Sequence, residues 1–382
     1  MLRIAIVTSN MYRISKSAKK GTEILAHIFL EGLSEYTQKS SDISVTVFGS
    51  GDSDVPYPLE SITHLATTED RRYSANDQKL LELALVSKAF SMQDQFDLFH
   101  IHISNGEYVI PFGPFVKKPI LITMHGAIPN QAGREYYQLF RDTPNVSFVA
   151  ISESQKRQMP DVRYAGVIHH GINAETIFKF HDTGSDTLMW AGRGVPAKGL
   201  DTVLDVVAQT HRPAKLFPIL KPEYLGWFQE KVLDKRDEML ADFDMEMNIN
   251  LTRHQLIDHY QKSKLFLSPI AWEEPFGLVM VEAMACGTPV VAYARGSVPE
   301  IIDDGQTGFI INSSPGDERG DYIVKSYGVA GLVEAVERMY AMTADEYTAL
   351  RKNCRDHVEK HFTRERMINQ YIEIYKNLTT PD

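Results

Sequence analysis

The sequence predicts an α/β protein of two doubly wound domains, each a parallel sheet covered by helices, the two facing each other across a cleft. Three observations predict it. Apolar runs of strand length, many of them β-branched, alternate with longer stretches of helical period. The runs are continuously hydrophobic, as strands buried on both faces of a covered parallel sheet must be. The alternation also occurs twice, on either side of the polar stretch KFHDTGSD (179–186).

In order, the first half offers strands at LRIAIVTS (2–9), ISVTVFG (43–49), DLFHIHIS (97–104), PILITMHG (119–126), VSFVAIS (146–152) and VIHHGI (167–172). The second half offers TLMWAGR (187–193), AKLFPIL (214–220), MEMNIN (245–250), KLFLSPI (264–270), TPVVAYA (288–294) and TGFII (307–311). These place one domain at 1–178 and another at 179–360. The tail, 361–382, carries Met367, Ile368, Tyr371, Ile374 and Tyr375 at helical spacing, with Thr363 as an N-cap. It reads as one amphipathic helix packing back on the first domain. In doubly wound sheets ligands bind beyond the carboxyl ends of the strands, so the loops that follow the strands hold the candidate chemistry.

Bulk properties narrow the function. The 382 residues are 43% hydrophobic, enough for two large cores, and no apolar stretch is long enough to cross a membrane. The N-terminal MLRIAIVTS reads as a buried first strand and not as a signal peptide. The two cysteines, Cys286 and Cys354, form no CxxC, which excludes a disulfide scaffold and points to a reducing cytoplasm. A net charge of −10 disfavours nucleic-acid binding, which needs a basic face. Arg13, Lys16, Lys19 and Lys20 form a local basic run that reads first as a solvated loop and allows at most a weak peripheral membrane contact.

The most informative stretch is WEEPFGLVMVEAMACGTPVVA (272–292), in which Glu274 and Glu282 are separated by seven residues. Pro275 and Gly277 predict a helix start near 275–278, with Glu274 just outside it and Glu282 one to two turns inside. Eight residues of helix rise about 12 Å, the span from a sugar hydroxyl across a diphosphate to a ribose. The amide groups at the helix start would face the diphosphate. Carboxylates accept several hydroxyl hydrogen bonds and suit polyols better than phosphate. A glutamate before a helix can also simply complement its dipole. Glu282, however, sits among Val279, Met280, Val281, Ala283, Met284 and Ala285, where a lone charge is costly without a partner.

AGRGVPAKGL (191–200) follows the first strand of the second half. It formally matches a dinucleotide-binding GxGxxA, but Pro196 interrupts the loop and no acidic residue closes the next strand. What remains is Arg193 and Lys198 on a strand-to-helix loop, placed to neutralise a leaving diphosphate or simply solvated.

AGRGVPAKG, SPIAWEEPFGLVMVEAMACGTPVVAYARGSVPEIIDDGQTGF (268–309) and KGTEILAHIFLEGL (20–33) together resemble the retaining family 4 glycosyltransferases, the glycosyl transferases group 1, of the two-domain Rossmann-like GT-B fold. The resemblance implies an acceptor-binding first domain and a second domain that binds a nucleotide diphosphate sugar. It implies a hexosyl transfer from a UDP- or GDP-sugar to a carbohydrate, lipid or small-molecule acceptor, with retained configuration, no metal and no cofactor beyond the donor. Arg193 and Lys198 then look like the diphosphate-binding cations. Glu274 resembles the carboxylate that holds the donor sugar, helped by the backbone of Phe276, Gly277, Leu278 and Val279, and Glu282 the ribose-binding carboxylate. Gly21 looks like the loop glycine that admits the phosphates, and His125 in TMHG the active-site histidine. Lys20 stands where the family usually has a second glycine, and His170 where asparagine is commoner.

Other patterns are discounted. His100 and His102 in HIH share a strand face, but no further cluster completes a metal site, and they read as lining the cleft end of a strand. Asp-Phe-Asp at 242–244 mimics a metal-binding DxD yet lies in a polar connection far from the glutamates. A nucleotide-sugar epimerase, a phosphorylase of the same fold and a non-catalytic nucleotide-sugar-binding protein are the rival readings.

Overall fold

The computed structural model describes residues 1–18, 20–239 and 243–380. Lys19 and Asp242 lie outside them, so neither the basic run at 13–20 nor the Asp-Phe-Asp run is described in full. The chain divides into two compact units, residues 1–171 with 364–382 and residues 172–363.

Unit 1 runs β1 (Leu2–Val7), α1 (Gly21–Lys39), β2 (Ile43–Phe48), β3 (Leu59–Glu60), α2 (Ala75–Ser91), β4 (Leu98–Ile101) and β5 (Ile120–Thr123). It continues with α3 (Gln131–Gln138), β6 (Val146–Ala150), α4 (Glu153–Gln158) and β7 (Tyr164–Val167). Its parallel sheet has the order β3-β2-β1-β4-β5-β6-β7. Ile4, Ala5, Ile6 and Val7 are all fully buried, as a central strand covered on both faces requires.

Unit 2 runs β8 (Leu188–Arg193), α5 (Leu200–Thr210), β9 (Ala214–Ile219), α6 (Leu225–Phe228), α7 (Asp234–Met239), β10 (Met245–Met247), α8 (Ile257–Lys262) and β11 (Leu265–Ser268). Then come α9 (Leu278–Ala285), β12 (Val290–Tyr293), α10 (Val298–Ile301), β13 (Gly308–Ile311), α11 (Gly328–Ala341) and α12 (Ala344–His361). The parallel sheet is ordered β10-β9-β8-β11-β12-β13. Leu200, Val203, Leu204 and Val207 of α5 pack with Leu332, Ala335, Val336 and Met339 of α11 in one core. Each fully buried leucine, valine or methionine among them contributes about 1.5–3 kcal/mol.

The last helix, α13 (Arg364–Thr379), belongs to unit 1. Met367, Ile368, Tyr371, Ile372 and Tyr375 bury its apolar face, while Arg364 reaches Glu31 and Glu35 of α1. Thr123 Oγ1 lies 2.9 Å from Tyr371 Oη, so a polar core contact joins α13 to β5.

Several boundaries differ from the expectation. The units part between Gly171 and Ile172, not at 178, because 172–178 docks on unit 2. Ile172 N–H donates to Phe362 O at 2.9 Å, and Arg355 Nη1 donates to Ala174 O at 3.1 Å and Phe178 O at 2.6 Å. The seventh strand is Tyr164–Val167, so His169 and His170 lie beyond its end instead of within it. The two-residue β3 was too short to leave a hydrophobic run. Both cysteines are buried free thiols, and no helix among the described residues is long and apolar enough to cross a membrane.

Candidate functional site in each unit

In unit 2 the loop after β8 enters a single 3₁₀ turn, Pro196–Lys198, pinned by Trp190 Nε1 donating to Lys198 O at 3.1 Å. Gly199 then takes φ +69°, and a Cβ there would fall 2.1 Å from Pro269 O. Glycine is therefore required where this loop crosses the loop after β11. The crossing sets Lys198 against Glu274: its ammonium donates to Glu274 Oε2, with side chains only 15% and 10% exposed. Trp272 Nε1 donates to the same oxygen at 2.8 Å. The Lys198 ammonium lies 5.1 Å from the Trp272 ring centre and the exposed Arg193 guanidinium 5.5 Å from it. Two cations, one carboxylate and one indole thus converge, and the cation and carboxylate expected on different parts of a donor form one ion pair.

Glu273 turns elsewhere. It accepts from Gly296 N–H at 2.9 Å, and Arg319 Nη2 lies 2.7 Å from Oε1, with Arg295 at 3.4 Å. Those guanidiniums hold the Glu273 carboxyl below its ordinary range against the opposing effect of burial, the largest single influence. Gly296 sits at φ +59°, where a Cβ would lie 2.3 Å from Glu274 O. Ser297 N–H donates to Glu274 O at 2.9 Å. The loop after β12 therefore grips the backbone of the two glutamates, and the ARGS of 294–297 was the overlooked signal.

α9 begins at Leu278 with Gly277 as its N-cap. Leu278 N–H turns back to Phe276 O at 3.1 Å, so of the four backbone positions expected to assist Glu274, this one's donor is already engaged. Phe276 is buried, while Leu278 and Val279 keep partial exposure. Glu282, in the second turn, has a side chain only 3% exposed, and its carboxylate accepts from Arg253 Nε. The Arg253 guanidinium lies 4.9 Å from the Phe178 ring centre. The sequence shows that Glu282 needs a partner but not which one, since Arg253 is 29 residues away.

Gly21 and His125 belong to unit 1. Gly21 opens α1, is exposed, and a Cβ on it would meet nothing within 4 Å, so packing does not demand glycine there. Lys20 is the N-cap residue, its ammonium 3.3 Å from the Tyr12 ring centre. His125 follows β5: its Nε2 lies 2.9 Å from His102 Nδ1 and its ring stacks on His170 at 5.5 Å. Burial lowers His125 to about 4, so it is neutral at pH 7.

His100 corrects an expectation. It does not line a strand end but is fully buried, with Nδ1 2.6 Å from Tyr375 Oη and Nε2 2.8 Å from Thr123 Oγ1, sealing α13 to the sheet. His102 is the neighbour that continues toward His125.

Residues 173–325 match the model of the family described as glycosyl transferases group 1. The chain is similar to an uncharacterized glycosyltransferase of Methanocaldococcus jannaschii, 24% identical over 68% of this chain and 72% of that protein. It is also similar to D-inositol 3-phosphate glycosyltransferase of Streptomyces bingchenggensis, 29% identical over 42% of this chain and 39% of the relative. It spans less than half the length of several curated relatives that it matches. Its fold is similar to that of HepE from Anabaena, solved in complex with UDP, with TM-score 0.74 and 16% identity over 98% of this chain and 100% of that one.

Proposed function

We propose that this chain, whose residues 173–325 match the glycosyl transferases group 1 model, is a cytoplasmic retaining hexosyltransferase. Its donor is a UDP- or GDP-sugar, its acceptor a carbohydrate, lipid or small molecule, and it needs no metal. The carrying observation is the convergence of Arg193, Lys198 and Glu274 on Trp272, ahead of a helix that carries Glu282. HepE, whose fold this chain resembles, has been solved with UDP and with UDP-glucose, which supports the donor class.

In this reading Lys198 and Arg193 take the diphosphate, and the phosphate competes with Glu274 for the Lys198 ammonium. Glu274, released, accepts the sugar hydroxyls, and Glu282, oriented by Arg253, accepts those of the ribose. Phe276, Gly277, Leu278 and Val279 shape the backbone beneath the sugar, Gly21 gives the phosphates room, and neutral His125 hydrogen-bonds the transferred sugar. The bond from the anomeric carbon to the diphosphate oxygen breaks as the acceptor oxygen bonds to that carbon on the same face. The acceptor's proton passes to the departing oxygen. The protein's part is positioning and charge stabilisation.

A panel of UDP-, GDP-, ADP- and dTDP-sugars, scored by thermal shift and nucleotide release with and without chelator, tests this. One UDP- or GDP-sugar should stabilise the protein and be turned over despite chelation, and proton NMR of the product should show retained configuration. No response to any donor refutes the reading.

A further inference from the structure

Beside Glu274, unit 2 carries a closed ring of four charges drawn from three loops. The loop after β11 supplies Glu273, the loop after β12 Arg295, and the loop after β13 Asp317 and Arg319. Arg319 holds Glu273 with a two-pronged fork, Nη1 donating to Oε2 at 2.8 Å and Nη2 lying 2.7 Å from Oε1. Its Nε donates to Asp317 Oδ1 at 2.8 Å. Arg295 closes the ring, with Nη2 2.7 Å from Asp317 Oδ2 and Nη1 3.4 Å from Glu273 Oε1. Ser313 Oγ donates to Asp317 Oδ2 at 2.8 Å and accepts from Arg295 Nη2 at 3.0 Å. None of the four charged side chains is more than 34% exposed.

Two features make this ring a tether and not a ligand site. Its charges cancel, Arg319 uses all three guanidinium nitrogens within it, and Arg295 Nε is buried without a partner, so no open guanidinium edge is offered to an anion. Both ends of the ring are also fastened to backbone. At one end Asn312, directly after β13 and 5% exposed, accepts Arg319 N–H at 2.8 Å and donates Nδ2 to Gly320 O at 2.8 Å. At the other, Gly296 N–H donates to Glu273 Oε2 and Ser297 N–H to Glu274 O, both at 2.9 Å. Half-exposed ion pairs hold little singly, but a bidentate fork within a network fixes geometry. The carboxylate so fixed is the chain neighbour of the one that also meets Lys198 and Trp272.

We infer that Asp317 and Arg319 are positioning residues for the sugar of the donor: acting through Glu273 and the loop after β12, they set where the Glu274 carboxylate stands. This consequence rests on the glycosyltransferase reading; the tether itself does not. A misplacement of about 1 Å in a positioned group can cost about 10²-fold in rate. The groups assigned to the diphosphate and ribose, Arg193, Lys198 and Glu282, lie outside the ring, so the loss falls on the sugar.

Asp317→Asn keeps the shape and removes the charge, and Arg319→Lys keeps the charge and removes the fork; both change half-exposed loop side chains and leave the core of unit 2 intact. The full-length protein and each variant are titrated calorimetrically with UDP-glucose, UDP, GDP-glucose and GDP, and amide exchange at Gly296 and Ser297 is followed by NMR without ligand. In each variant exchange at these two amides should quicken about tenfold or more. The affinity of the preferred nucleotide sugar relative to its own nucleotide should fall about tenfold, with nucleotide affinity unchanged. A loss shared equally by nucleotide and nucleotide sugar marks a general loosening of unit 2 and overturns the positioning role, as does an unchanged ratio in either variant. Unchanged exchange in either variant overturns the tether. Wild type that binds none of the four ligands strikes the glycosyltransferase reading instead, and amide exchange then still decides the tether.

Discussion

Replacing Lys198 with alanine separates two roles that the geometry combines. The ammonium is one of two donors to Glu274 Oε2, and both side chains are mostly buried. Removing one partner of a fully buried pair costs about 3–5 kcal/mol. Here Trp272 Nε1 still donates at 2.8 Å and water reaches part of the pair, so about 2–3 kcal/mol is expected. In a unit of this size that lowers its melting temperature by about 4–10 °C. Turnover should fall about 10²-fold or more, because the cation facing the leaving diphosphate is gone. Calorimetry and nucleotide release from the donor read the two effects separately. In Lys198→Ala with Glu274→Gln, the orphaned charge is removed, so stability should largely return while turnover stays low. Near-normal turnover of Lys198→Ala, or a double variant no more stable than the single one, would refute the argument.

Arg193→Ala removes an exposed cation, so it should lower turnover by about 10²-fold with the melting temperature nearly unchanged. Arg253→Ala leaves the Glu282 carboxylate, only 3% exposed, without its guanidinium; unfolding should show a loss of about 3 kcal/mol and UDP affinity should drop. Gly296→Ala places a Cβ 2.3 Å from Glu274 O at a positive φ, and should cost more than 1 kcal/mol and weaken donor binding together, as thermal shift with and without UDP will show. Burial holds His100, His102 and His170 well below their ordinary 6.5 and His125 at about 4. The unfolded chain therefore binds more protons, so denaturant titrations should show stability intact above pH ~6.5 and falling as pH drops toward 4.

The parallel α/β class and nearly every strand were legible because continuous apolar runs can be buried only between two layers of helices. The glutamate spacing was legible because Glu282 lies among apolar neighbours that forbid an idle charge. The adjacent carboxylates part: Glu273 goes to Arg295 and Arg319, Glu274 to Lys198 and Trp272. Their partners were not legible, because partners are chosen in space. Arg253 is 29 residues from Glu282, Lys198 is 76 from Glu274, and His100 meets Tyr375 across 275 residues. The sequence by itself determined which segments are strands, which are helices and which loops carry charge, since those follow from local periodicity and backbone preference. Only the tertiary structure decided which charges meet, because burial and distance, not sequence separation, set the strength of an ion pair.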